Sequence, residues 1–412
     1  MVRRIAAIGF IYSCITIAWL ILGATVHFRT QDQDDKLKSA VGQLWGTAQT
    51  QQAPQIYWLE RVVHIETNDK GETVSRTSEV KHYIDLAASR IEVDLNLAHR
   101  RKGLLWYSTY QVDFSASYTV ANPTDQDRPL YFDMPLPASN AVYDDFTLTV
   151  DGRPVDNLPI HSGTLRQRMD LPAGGEMPVN ISYRSQGLDQ WRYSFGDRVS
   201  QVADFDLVLH TDFAAIDFPP DSMSPTTMTL VGQTSKLHWH YDQLLTGVDL
   251  GMVMPARLNP GPWVNQVVYA APISLFLFFF LLFIFTTVRG IELHPMHYFF
   301  VGAAFFSFHL LLAYLVDHLI IHYAFALASL VSIALVTSYI RLVLGSRLAF
   351  VEIGLGQFVY LVLFSYTFFF SGYTGLAITL LCIITLFAAM QFTGRIDWDT
   401  VLAPKAKPEA TA

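Results

Sequence analysis

The sequence predicts two unlike parts: an α-helical membrane bundle of six transmembrane helices, and an extramembrane all-β, sandwich-like domain inserted after the first helix. Three observations carry this. Of 412 residues, 51% are hydrophobic and only 16% charged, against roughly 25% charged in an ordinary soluble domain. Six apolar stretches reach the ~20 residues that a bilayer core requires. The long segment between the first two alternates with period two and is broken by turn residues. A soluble enzyme, a disordered chain and a nucleic-acid binder with a basic surface are poor readings of such a sequence.

The candidate spans are Ile5–Val26, Val267–Val288, Tyr298–Val316, Leu319–Ile340, Leu348–Phe370 and Tyr373–Phe392. They divide the chain into an N-terminal anchor (1–26), a polar domain (27–266), a five-helix region (267–392) and a tail (393–412). The first span has a basic start, but its 22 apolar residues exceed a signal-peptide core, which favours an uncleaved anchor.

Charge orients the spans. Residues 27–266 hold 20 Lys+Arg and 30 Asp+Glu, whereas the rest of the chain holds eight basic residues. All eight (Arg3, Arg4, Arg289, Arg341, Arg347, Arg395, Lys405 and Lys407) fall on one side of the six crossings. The opposite short turns, Asp317-His318 and Ser371-Gly372, carry no Lys or Arg. The positive-inside rule therefore puts both termini in the cytoplasm and residues 27–266 outside.

After the first span, Leu37, Val41 and Leu44 share one helical face, which predicts a short amphipathic helix continuing from the membrane. Strands follow. Val112, Phe114, Ala116, Tyr118 and Val120 alternate with Asp113, Ser115, Ser117 and Thr119. Three further runs, 179–183, 205–209 and 237–241, repeat the pattern. Asn68-Asp69-Lys70-Gly71, Asp151-Gly152 and Ala173-Gly174-Gly175 read as turns. Many short strands of this kind argue for an antiparallel sandwich, with Pro123, Pro129, Pro135, Pro137 and the 219–225 cluster in connections or on edges. The domain has no cysteine, since Cys14 and Cys382 both lie in spans, so it must fold on its own core.

No HExxH helix, phosphate-binding loop, GxSxG elbow or CxxC pair is present, and no cofactor signature is found. The expectation is of a protein that is not an enzyme. The unusual residues are ionisable groups in or beside the spans: His309, Asp317, His318, His322 and Glu352, which are costly in lipid and so candidates for function. His318 and His322, one turn apart, would share a helix face with Asp317 nearby as a metal or proton-relay group; the plainer meaning is a polar turn. Glu352 is placed to pair with Arg347, and His309 to pack at a helix contact. In His294-Pro295-Met296-His297, Pro295 suits a first helical turn. Trp263 and Trp398 are placed as interfacial anchors. In the polar domain His238 and His240 share a strand face around Trp239; they could hold zinc, but a surface pair is the plainer reading. Arg100-Arg101-Lys102-Gly103 reads as a solvated turn, and His82, His161 and His210 have no spacing that links them as a hydrolase site.

One stretch resembles a known family. Leu293-His294-Pro295-Met296-His297-Tyr298-Phe299-Phe300-Val301-Gly302 is similar to the loop and helix start of the CreD family of bacterial inner-membrane proteins. The likeness continues through Leu310-Leu311-Leu312-Ala313 to Asp317-His318, and ends in Thr393-Gly394-Arg395-Ile396-Asp397-Trp398. It is weaker in Arg100–Tyr107 and around Gln49–Pro54. Ala53 replaces a family glycine, His309 stands where Tyr is common, and Gly394 separates Thr393 from Arg395; these departures mark a divergent member. The resemblance implies a role in cell-envelope integrity or envelope stress, but no agreed reaction. The polar domain would then bind an envelope protein or a peptidoglycan-related component, with the bilayer as the other partner and no nucleic acid. The alternative is a small-solute or ion transporter using His309, Asp317, His318 and Glu352, which would have to converge on one cavity.

Overall fold

The computed structural model describes residues 2–67, 73–103, 105–196, 200–345, 347–370 and 372–394. Two compact units emerge, one of residues 1–35 and 258–412, the other of residues 36–257.

The first unit is helical. Its spans come from α1 (Val2–Trp45), α2 (Pro260–Val288), α3 (Pro295–Leu315), α4 (Ile321–Leu344), a fifth span Ala349–Phe369 and a sixth, Thr374–Thr393. All six are long and apolar enough to cross a membrane. α1 does not stop at Val26; it runs unbroken through the amphipathic segment to Trp45. Pro260 and Pro295 both open their helices, where a missing N–H costs nothing. The fifth span is π-helical over Leu348–Ile353 and Phe358–Leu363. Close helix contacts sit on glycines: a Cβ on Gly302 would lie 2.3 Å from Ile15 of α1, and one on Gly23 2.9 Å from the Tyr269 ring. Small residues let apolar helices approach in this way when lipid offers no hydrophobic drive. Trp19, Phe278, Tyr298, Phe305 and Phe308 fill the core of the unit.

The second unit is built of strands. Among the described residues there are three sheets. The largest has eight strands: β14 (Thr227–Val231), β15 (Thr234–Thr246), β13 (Ser200–Thr211), β4 (Ala88–Lys102), β5 (Leu105–Ala121), β11 (Glu176–Leu188), β7 (Tyr143–Val150) and β8 (Arg153–Pro154), in that order. A five-stranded sheet has the order β3 (Thr73–Ile84), β2 (Gln55–Thr67), β6 (Arg128–Pro135), β10 (Thr164–Leu171) and β9 (Ile160–His161). The third joins β1 (Gln49–Gln52), β12 (Gln190–Ser194) and β16 (Leu250–Val253). One buried cluster takes side chains from all three sheets, among them Phe114, Phe132, Trp191, Trp239 and Leu250. The alternation in β5 holds from Val112 to Val120: Val112, Phe114, Ala116, Tyr118 and Val120 are all buried, as a period-two strand with one face on a core requires.

Two expectations change. The sheets are not wholly antiparallel: β13 pairs parallel with β4, and β1 parallel with β12. Such pairings join strands distant in sequence, so no local turn announces them. Pro129 and Pro135 lie within β6, which is not an edge strand. They are tolerated because β2 covers only Tyr131–Asp133 of β6, leaving both prolines outside that ladder. Asp151-Gly152 does form the two-residue β7–β8 turn, with φ of 50° and 71°, but Asn68–Gly71 falls outside the described residues. The amphipathic end of α1 packs Leu37, Val41 and Trp45 against Leu105, Tyr107 and Leu188.

Candidate functional site

The ionisable residues of the helical unit occupy separate places. Asp317 follows α3 directly, and its Oδ2 lies 2.9 Å from Arg29 Nη1. The same guanidinium donates to the Ala313 carbonyl at 2.8 Å and lies 5.3 Å from the centre of the Tyr314 ring. This ties α1 to the end of α3. The partners are 288 positions apart, which leaves no local signal.

Glu352 pairs not with Arg347 but with Arg289, just beyond α2, at 3.0 Å. Proximity in sequence misled here, because the guanidinium that meets Glu352 comes from the end of another helix, far back in the chain. The Arg289 guanidinium also lies over the Phe285 ring at 4.4 Å. The pair borders an apolar pocket of about 220 Å³ lined by Phe278, Leu282, Phe285, Tyr360 and Phe392. Because a short loop joins α2 to α3, the Arg289 pair and the Asp317 pair sit at opposite ends of these helices.

His309 lies between them, fully buried. Its Nδ1 hydrogen-bonds the Phe305 carbonyl of its own helix at 2.9 Å, and its ring meets Trp19 and Phe308 edge-on at 5.4 and 4.8 Å. His318 lies in the turn before α4, so it shares no helical face with His322. His322 is exposed and stacks on Phe369 at 4.9 Å. Among the described residues Asp317, His318 and His322 do not come together as a metal-ligating group, and Asp317 and Glu352 lie at opposite ends of the helices. Sequence reasoning also missed a buried chain in which Gln357 Nε2 donates to Ser332 Oγ at 2.9 Å, and Ser332 to the Ala304 carbonyl at 2.7 Å. An amide in an otherwise apolar span was its only signal.

Of the remaining positions, His294 caps α3, its Nδ1 accepting the Met296 N–H at 3.2 Å, and Pro295 is the first residue of that helix. Trp263 is buried against Phe369 at 4.3 Å rather than presented outward as an anchor. Arg395, Asp397 and Trp398 lie outside the described residues.

In the β unit, polar side chains do gather. Arg90 and Glu92 of β4, Ser115 and Ser117 of β5, Asn180 and Ser182 of β11, and Asp206 and His210 of β13 line a groove of about 470 Å³, with Thr147 and Lys236 at its sides. These are the polar phase of the alternating strands, so one sheet face carries them all. The groove contains hydroxyls, an amide and both signs of charge. Thr147 and Ser182 share a hydrogen bond of 2.7 Å, and His210 lies 3.7 Å from Glu92. Arg90 holds Asp204 through its carboxylate at 2.6 Å and its carbonyl at 2.7 Å. Burial would raise the Asp206 carboxyl, but hydrogen bonds from His238 and His240 and the nearby Arg90 charge outweigh it and hold it below its ordinary value. The hydrolase candidates stay apart: His82 pairs with Glu60 at 2.7 Å and stacks on Trp58, while His161 is exposed on β9. The Arg100 guanidinium lies 5.2 Å from the centre of the Trp45 ring.

None of the curated proteins matches the sequence. Among solved structures, a crystal structure from Legionella pneumophila described as a candidate nutrient-binding protein aligns with 55% of this chain and 79% of its own, at 11% identity and a TM-score of 0.29. A likeness at that level carries no argument. Residues 266–399, which hold most of α2 and all the later spans, match the family model described as "Inner membrane protein CreD".

Proposed function

We propose that this inner-membrane protein serves cell-envelope integrity or the response to envelope stress, without catalysing a reaction, and that its β unit binds an envelope component. The observation that carries the reading is the contrast between a polar groove across six neighbouring strands and a bundle whose ionisable groups are held apart. In this reading both termini are cytoplasmic and residues 27–266 form a sandwich-like periplasmic domain. The charge asymmetry of the loops supports that orientation. Hydroxyl, amide and charged side chains on a rigid sheet suit a hydrogen-bonding ligand, such as a partner protein or a peptidoglycan-related fragment, better than an apolar one. The helices anchor the domain and relay its state.

Site-specific photocrosslinking in native envelopes tests this. Probes at Ser117 and Asn180 in the groove should trap a defined envelope component, and a probe at exposed Val142 should not. Recovery of only lipid and unrelated abundant proteins from the groove positions overturns the reading. The transport alternative gains no support from the positions of His309, Asp317, His318 and Glu352.

A further inference from the structure

At one edge of the polar sheet face, β13 and β15 bring together three side chains that could ligate a metal. Among the described residues, Asp206, His238 and His240 are the one group of three His, Cys, Asp or Glu residues whose ligand atoms all lie within 4.8 Å of one another. The register explains the cluster. His238 and His240 are alternate residues of β15 and so project from the same face, and Asp206 of β13 stands directly opposite His240. Asp206 Oδ2 lies 2.9 Å from His238 Nε2 and 3.1 Å from His240 Nδ1.

We propose that Asp206, His238 and His240 form a binding site for a divalent first-row transition ion, zinc in the first instance. Two imidazole nitrogens and a carboxylate oxygen form a donor set that suits zinc, whereas calcium and magnesium take oxygen ligands and more of them. Tetrahedral zinc with bonds of about 2.0–2.2 Å needs donor atoms roughly 3.3–3.6 Å apart. The two Asp206 distances are already close to that, so small side-chain rotations suffice. Three protein ligands leave a fourth position open to water or to a ligand.

The supporting shell is in place. His240 turns Nδ1 toward Asp206 and Nε2 toward Asp242, 3.5 Å away. An outer carboxylate on the second ring nitrogen orients a metal-bound imidazole and strengthens it as a ligand. Between the two histidines Trp239 is fully buried, with its indole N–H donating to the Met223 carbonyl at 3.0 Å. Phe205 and Leu207 flank Asp206 and are equally buried. The ligands therefore stand on an anchored strand pair, and little ordering remains to be done on binding. Arg90, which lines the same groove as Asp206, is engaged by Asp204. Without metal, the two histidines hydrogen-bond one carboxylate oxygen, which is the competing explanation of the cluster.

Metal titration of the full-length, tag-free protein in detergent decides between them. Zinc should bind at a single equivalent per chain and survive dialysis, and Co²⁺ in its place should give the intense visible bands of a tetrahedral site. Asp206→Asn, His238→Ala and His240→Ala should each weaken zinc binding by more than ~10-fold, and Asp242→Asn by about 10-fold. His161→Ala, which alters an exposed histidine on another sheet, should change nothing. Circular dichroism of each metal-free variant checks that the fold is kept. If zinc fails to bind stoichiometrically, or if the folded His238→Ala/His240→Ala double variant binds as wild type does, the site is refuted. Metal binding is read without any groove ligand, so this result is separable from the crosslinking result.

Discussion

The helical unit and the β unit treat polar side chains in opposite ways. In the bundle, Asp317 is matched to Arg29 and Glu352 to Arg289, at opposite ends of the helices, and His309 bonds to its own helix. In the β unit, ten or so polar groups share one sheet face and one groove. Solvent accounts for the difference. Hydrocarbon makes an unpaired charge costly, so charges in a bundle are neutralised locally. Water tolerates polar groups that await a partner, so a sheet can hold them together without loss. The contrast teaches that ionisable residues in a span are not functional by position alone.

The largest effect should come from the β core. Phe114 is buried and stacks on Tyr183 at 4.8 Å. Phe114→Ala should cost about 3–5 kcal/mol by chemical denaturation, while Phe300→Ala on the exposed surface of α3 should cost far less. Equal losses would break the distinction between a packed core and a lipid-facing surface.

Next comes the Arg29–Asp317 pair. Asp317→Asn removes the counter-charge of a half-buried guanidinium and should lower thermal stability in detergent by about 1–2 kcal/mol. A double-mutant cycle with Arg29→Gln should recover most of it as coupling. No coupling would mean that the pair is not structural and would reopen a functional role for Asp317.

A pH effect of comparable or smaller size is expected at Tyr57. Burial, and then its hydrogen bond to Asp133 at 3.0 Å, push the phenol up to about 12. A folded pKa above the unfolded one adds stability that is complete below about pH 10 and fades as pH rises through about 12. Tyr57→Phe should flatten that alkaline decline, at a cost of about 1 kcal/mol at neutral pH. An unchanged slope of stability against pH between 9 and 12 would remove Tyr57 as its source.

The smallest effect should come from Arg184, which is more than half exposed and faces Asp113, Asp144 and Asp145. Arg184→Ala should cost at most about 0.5–1 kcal/mol and less at high salt. A larger loss would show that exposed pairs on the sheet matter as much as those in the bundle.

Much of the architecture was legible beforehand. The spans and the β5 alternation are local patterns, carried by the 3.6 and 2.0 residue periods of the backbone itself. Asp151-Gly152 was readable because positive φ at both turn positions demands such residues. The site was less legible. Two of the three proposed metal ligands were signalled, in His238-Trp239-His240, but Asp206 lies 32 and 34 residues away on another strand.

By itself, then, the amino-acid order determined which helices are long and apolar enough to cross a membrane, where the charges fall and which strand faces are polar, because these follow from solvent preference and local periodicity. Only the tertiary structure decided that Arg29 meets Asp317, that Glu352 meets Arg289 rather than Arg347, and that Asp206 completes a pair of histidines. Partners far apart in sequence are chosen by strand register and helix packing, and these depend on the free energy of the assembled whole.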